Sequence, residues 1–153
     1  MRRSVVLMLL KRKVLIKGGL NYILDLYSQF KLEILSYNEK IKDTGYYVKP
    51  MHIAYKNSDS GKVKYIYFGR YWYRVIKRND RLVWVYVGKD KPEPSLPEPP
   101  PNPFERVSIA VVNDSDIEVG LDSLELLANI EKHTNKSGVF VKALDEAQRS
   151  KQS

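Results

Sequence analysis

Gly69-Arg-Tyr-Trp-Tyr-Arg-Val-Ile-Lys-Arg-Asn-Asp-Arg-Leu-Val-Trp-Val-Tyr-Val-Gly-Lys89 reads as two β-strands about a tight turn. Tyr, Trp and Val suit strands, and Asn79-Asp80 suits a two-residue hairpin loop. With that loop Arg78 faces Arg81, Ile76 faces Val83, Arg74 faces Val85 and Trp72 faces Val87. On the other side Lys77 meets Leu82, Val75 meets Trp84 and Tyr73 meets Tyr86. Strand side chains alternate between faces. One face is therefore mostly aliphatic, and the other gathers Tyr71, Tyr73, Trp84 and Tyr86 with Lys77 at its end. A slip of one residue would reshuffle the pairs.

Upstream, residues 63–68 form a second strand before Gly69, and residues 46–56 another, with Pro50 marking an edge or a bulge. Asn57-Ser-Asp-Ser-Gly61 is the turn between them. Before these strands, Leu20, Ile23, Tyr27, Phe30, Ile34, Tyr37 and Ile41 recur in alternating steps of three and four, which puts all seven on one helical stripe. Two readings of the stripe stand. Leu24, Leu26, Leu32 and Leu35 widen the apolar face, as in a helix lying on a sheet. Sustained heptads also suit an interchain coiled coil, in which these seven residues form a homodimer seam. Thr44-Gly45 ends the helix.

The chain has 153 residues and a formal net charge of +8. That length suits one domain, with or without a small appendage. No cysteine is present, which excludes disulfides and thiolate chemistry. The abundant Tyr, Lys, Ile and Val resemble the composition of proteins from thermophiles. Residues 1–91 carry 20 Lys+Arg and 7 Asp+Glu, whereas residues 92–153 carry 6 and 11. The boundary is Pro92-Glu-Pro-Ser-Leu-Pro-Glu-Pro-Pro-Pro-Asn-Pro103, a composition that favours an extended, semi-rigid spacer. The expected organisation is a basic helix-plus-sheet module (1–91), a Pro-rich linker (92–103) and a small acidic strand-helix module (104–153). The expected fold is α+β: an N-terminal helix packed on a four-stranded antiparallel meander, with a small C-terminal α-rich appendage. In that appendage, residues 107–112 are a strand, Asp122 and Glu125 form an N-cap and its partner, and Val139–Arg149 forms a further helix. The apolar run at 4–10 is too short to span a bilayer, which needs about 20 residues, so no membrane partner is expected.

Most reaction signatures fail. Asp114, Asp116, Glu118, Asp122 and Glu125 have calcium-loop spacing, but Val119 stands where the loop needs glycine. His52 has no cysteine partner and no acid at useful spacing, His133 lies near a helix C-terminus where the dipole alone accounts for it, and no nucleophile elbow occurs. No catalytic residue, metal or cofactor is expected.

A strongly basic module with an aromatic strand face suits nucleic acid. Bases stack on rings, and Lys and Arg neutralise phosphates. The candidate contacts are Lys77, Arg78 and Arg81 at the hairpin tip, Arg70, Arg74 and Lys89 beside it, and the rings of Tyr71, Tyr73, Trp84 and Tyr86. The opposing reading makes the rings sheet core, since cross-strand aromatic pairs need no ligand. The expectation is a non-enzymatic nucleic-acid-binding protein, with DNA as partner, acting in the cytoplasm. The alternative is a structural or interaction protein that dimerises through the helix. The acidic C-terminal module is a candidate site for a protein partner in either case.

Gly-x-Tyr-Trp-Tyr, a charged turn, then Val-Tyr-Val-Gly-Lys resembles a small hairpin of uncharacterised archaeal virus and plasmid proteins. A similar hairpin occurs near the start of some insertion-sequence transposases, although no transposase core follows in this chain. The resemblance covers residues 69–89 and implies a mobile-element origin, with host cytoplasm as the location if the element is viral.

Overall fold

In the computed structural model Asn79 and Asp80 both take positive φ, 49° and 65°, as a type I′ turn requires. That turn sets the hairpin register: Arg78 lies opposite Arg81, Val75 opposite Trp84 and Tyr73 opposite Tyr86. Trp72 is the exception. A bulge between it and Tyr73 places it opposite Gly88 and not Val87.

The structure describes residues 12–59, 61–134 and 138–150; the apolar run at 4–10 lies outside them. The strands are β1 (Lys13–Ile16), β2 (Tyr46–Ser58), β3 (Gly61–Arg78), β4 (Arg81–Gly88), β5 (Ser108–Val112) and β6 (Asp116–Gly120). The helices are α1 (Gly19–Ile41), α2 (Leu121–Lys132) and α3 (Val139–Arg149). All six strands join one antiparallel sheet of order β1-β6-β5-β3-β2, and β4 also pairs with β3.

This overturns the expected N-terminal helix on a four-stranded meander. A strand precedes α1. The two strands expected on either side of Gly69 are one strand of 18 residues. Gly69 does not break it; the ring of Tyr71 leans over the glycine, where a Cβ would sit 3.3 Å from the ring. The C-terminal segment is not an appendage: β5 pairs with β3, and β6 lies between β5 and β1. The acidic stretch around Asp116 and Glu118 is a strand whose alternate residues, Ile117 and Val119, are fully buried.

Ile23, Tyr27, Phe30, Ile34, Tyr37 and Ile41 are buried, and Leu20 packs against the same core. The stripe is therefore spent within one chain and is closed to an interchain seam. It meets Val48, Ile66, Phe68 and Trp72 from the sheet. α1 starts where the β5–β6 turn caps it: the Gly18 N–H donates to Asp116 Oδ1 at 2.8 Å, and the Leu20 N–H to Ser115 O at 3.1 Å. A side chain at position 19 would clash with Ile117 Cγ1 at 2.5 Å, so glycine brings the helix down onto β6. The helix ends in a 3-10 turn, Lys42–Thr44, with Gly45 at φ 81°. α2 begins at Gly120 without a side-chain cap, so Asp122 lies in its first turn and does not cap it.

The proline-rich segment is fastened to the core. Leu96 and Phe104 are buried, and Phe104 meets the Tyr27 ring edge-on at 5.2 Å. Tyr37 Oη donates to Pro97 O at 2.6 Å, and buried Asn102 donates to Gly69 O at 3.1 Å. Pro50 sits at a bulge in edge strand β2. Nearby, the Asn38 amide bonds both backbone groups of Val48 at 2.9 Å, which closes part of an otherwise open edge. No helix of the described residues is long and apolar enough to cross a membrane.

The Tyr27 hydroxyl is buried without a hydrogen-bond partner among the described residues, and burial raises its pKa well above the ordinary tyrosine value. A buried hydroxyl left unpaired costs about 1–3 kcal/mol, so Tyr27→Phe is expected to hold or raise stability at neutral pH by up to about 1 kcal/mol. The sign at high pH follows from linkage. The unfolded tyrosine ionises near pH 10 while the folded one keeps its proton, so stability falls as pH rises above about 10. Urea titrations at pH 7 and pH 10.5 should show a shallower alkaline loss in the Phe variant.

Candidate nucleic-acid interface

Strand alternation sorts the sheet into two faces. Even-numbered residues of β3 from Ile66 to Trp72 turn toward α1, and Ile66, Phe68 and Trp72 are buried there. Odd-numbered residues turn away, so Tyr65, Tyr67, Tyr71 and Tyr73 share the opposite face. β2 adds Tyr47 opposite Tyr73, Lys49 opposite Tyr71 and His52 opposite Tyr67. β4 adds Tyr86 and Trp84. These side chains are all half-buried or exposed, so no helix of the described residues covers them.

The rings form two runs. Tyr47 stacks on Tyr73 at 5.4 Å, and Tyr86 follows at 5.5 Å from Tyr73. Tyr65 stacks on Tyr67 at 6.2 Å, and His52 lies 6.3 Å from Tyr67 and 5.6 Å from Tyr71. Lysine amines lie over the rings: Lys49 over Tyr73 at 4.8 Å, Lys56 over Tyr65 at 5.0 Å, Lys13 over Tyr65 at 5.7 Å and Lys89 over Tyr71 at 6.0 Å. Burial raises the pKa values of Tyr47 and Tyr71, and a hydrogen bond to Tyr67 raises that of Lys56. At neutral pH these groups present neutral rings and a charged amine.

The expected contact residues divide between the faces. Tyr71, Tyr73, Trp84, Tyr86, Lys77 and Lys89 lie on the open face. Arg70 and Arg74 turn to the helix side, where Arg74 lies 5.7 Å from the Tyr46 ring. Arg78 and Arg81 pair at the exposed tip, on the same side as Arg74 by alternation. Lys91 is engaged by Leu96 O and Glu98. Tyr47, Tyr65, Tyr67, His52, Lys13, Lys49 and Lys56 were not among the expected contacts. Their signal is the two-residue spacing of Tyr65, Tyr67, Tyr71 and Tyr73, which shows only once β3 is read as continuous through Gly69.

Along the edge of β3 opposite β2, two strands share the length. β5 pairs with Lys64 to Tyr67 and β4 from Trp72 onward. Between them the sheet forks, leaving a cavity of about 340 Å³. Among the described residues no group of three His, Asp or Glu side chains is placed to hold a metal ion. No family model matches the chain, and no curated protein or solved structure matches it.

Proposed function

We propose that this protein is a non-enzymatic nucleic-acid-binding protein that uses the open face of its sheet. The observation that carries the reading is the array of tyrosine rings with lysine amines 4.8–6.0 Å from their centroids. Rings supply stacking surfaces, and amines supply phosphate neutralisation. The hairpin is one end of that surface and not the whole of it. Its resemblance to hairpins of archaeal virus and plasmid proteins is in keeping with this reading.

Binding measured by anisotropy across a salt series tests it. Five lysines, Lys13, Lys49, Lys56, Lys77 and Lys89, face the ligand, and each neutralised phosphate of a single strand contributes about −0.7 to the log–log salt slope, for a total of roughly −3 to −4. Lys49→Glu with Lys56→Glu should flatten the slope and weaken binding. A folded sample that forms no complex at about 50 mM salt would remove the proposal.

A further inference from the structure

We infer that the ligand of the open face is single-stranded nucleic acid, and that one unstacked base enters the fork between β4 and β5. This rests on the nucleic-acid reading above and specifies its substrate class.

A duplex hides its base faces within its own stack and offers phosphates and groove edges. A row of half-exposed rings has nothing to stack on there, whereas a single strand presents every base face. Charge suits such a strand. Lys13, Lys49, Lys56, Lys77 and Lys89 line the face, against Asp116 and Glu118 at its β6 corner, Asp80 at 4.0 Å from Lys77 at the hairpin tip and Glu105 at the fork.

The fork supplies a site of defined size. Its 340 Å³ falls at the small end of the range for ligand pockets, about 300–1,000 Å³, and suits a single base. Tyr67 and Tyr71 flank it, Lys89 and Arg106 bring cations, and Glu105 brings an acceptor. Gly69 lines it beneath the Tyr71 ring, which would lie 3.3 Å from a Cβ at that position. Among the described strands none pairs with β3 at Gly69 to Tyr71 on this edge; residues 102–107 wall the fork there, with Phe68 bonded to Val107 O and the Arg106 N–H, and Gly69 O accepting from Asn102. The strand partners diverge where a ligand has rings on both sides and cations beside it.

The test uses the full chain and three fluorescein-labelled probes of equal length: oligo(dT), oligo(rU) and a DNA duplex. Each stacked base is worth about a 5- to 150-fold change in affinity. At least one single strand should therefore bind ten-fold or more tightly than the duplex, and the better arm names the sugar. Tyr67→Ala with Tyr71→Ala should weaken single-strand binding about 30-fold or more and leave duplex binding unchanged. Gly69→Val, which would press on the Tyr71 ring at the fork, should also weaken it. Equal affinity of wild-type protein for duplex and single strands would overturn the inference while leaving phosphate binding standing. The wild-type comparison needs no variant to fold. No binding to any probe at low salt would overturn this inference together with the proposed function.

Discussion

Trp72→Ala is expected to lower stability by about 3–5 kcal/mol, and Trp84→Ala by less than about 1 kcal/mol. Both residues are tryptophans of the same hairpin, separated by one turn. Trp72 is 1% exposed and Trp84 56%. Trp72 lies on the helix side, where its ring meets Tyr37 edge-on at 6.2 Å. It sits in the core beside Val48 and at the bulge where β4 joins β3. Removing it leaves a cavity between α1 and the sheet that the long, continuously paired β3 is poorly able to collapse. Trp84 stands on the open face beside Val75, so its removal forfeits one cross-strand pair. Urea titrations of both variants would measure the gap. Equal losses would show that the two faces are not sorted as described.

Glu131→Ala is expected to cost roughly 2–5 kcal/mol, because hydrogen bonds to a carboxylate are worth about 1.5–3 kcal/mol each and their buried donors would be left unsatisfied. Glu131 is a carboxylate at 2% exposure near the end of α2. It accepts from the Phe140 N–H at 3.0 Å and the Val141 N–H at 2.8 Å, at the first turn of α3, and from the Tyr22 hydroxyl of α1. One side chain thus serves as the anionic cap for α3, whose positive N-terminal dipole favours it, and ties all three helices together. Alanine would leave two helix N–H groups and a hydroxyl unsatisfied. Glu131→Gln keeps one acceptor and should lose roughly half as much. Thermal melts followed by far-UV circular dichroism would report both. A loss below about 1 kcal/mol for alanine would show that the cap is dispensable.

The parts of this fold that were legible from sequence are those with a local physical code. Asn79-Asp80 dictates its own turn, and the turn dictates the pairing down to Tyr73. The three-four recurrence from Leu20 to Ile41 dictates a helix and its buried stripe. Val139–Arg149 emerged with its observed bounds. What depended on distant partners was not legible. Lys13–Ile16 is four residues and becomes a strand only because β6 is beside it. Asp116-Ile-Glu-Val-Gly120 carries acids at strand positions, and its two buried residues are a weak period by themselves. For the site, half the rings were found. The others escape any reading that takes Gly69 as a boundary, because that conceals that Tyr65, Tyr67, Tyr71 and Tyr73 share a face. Whether the rings were core or surface could not follow from hairpin composition. It depends on which side of the sheet α1 covers, a tertiary choice made by Ile66, Phe68 and Trp72.

The position of β1 bears on how the chain acquires its structure. Among the described strands β1 pairs with β6 alone, Leu15 lying opposite Glu118. Contacts that close so long a loop come at a high entropic cost and form slowly. α1, β2, β3 and β4 are joined by short turns and can begin assembling before the β5–β6 turn arrives to cap α1. During synthesis, at about 5–20 residues per second, β1 leaves the ribosome long before β6, its one partner among the described strands. The central strands are therefore a template that waits for β5 and then β6 to add to it, and β1 closes the sheet last.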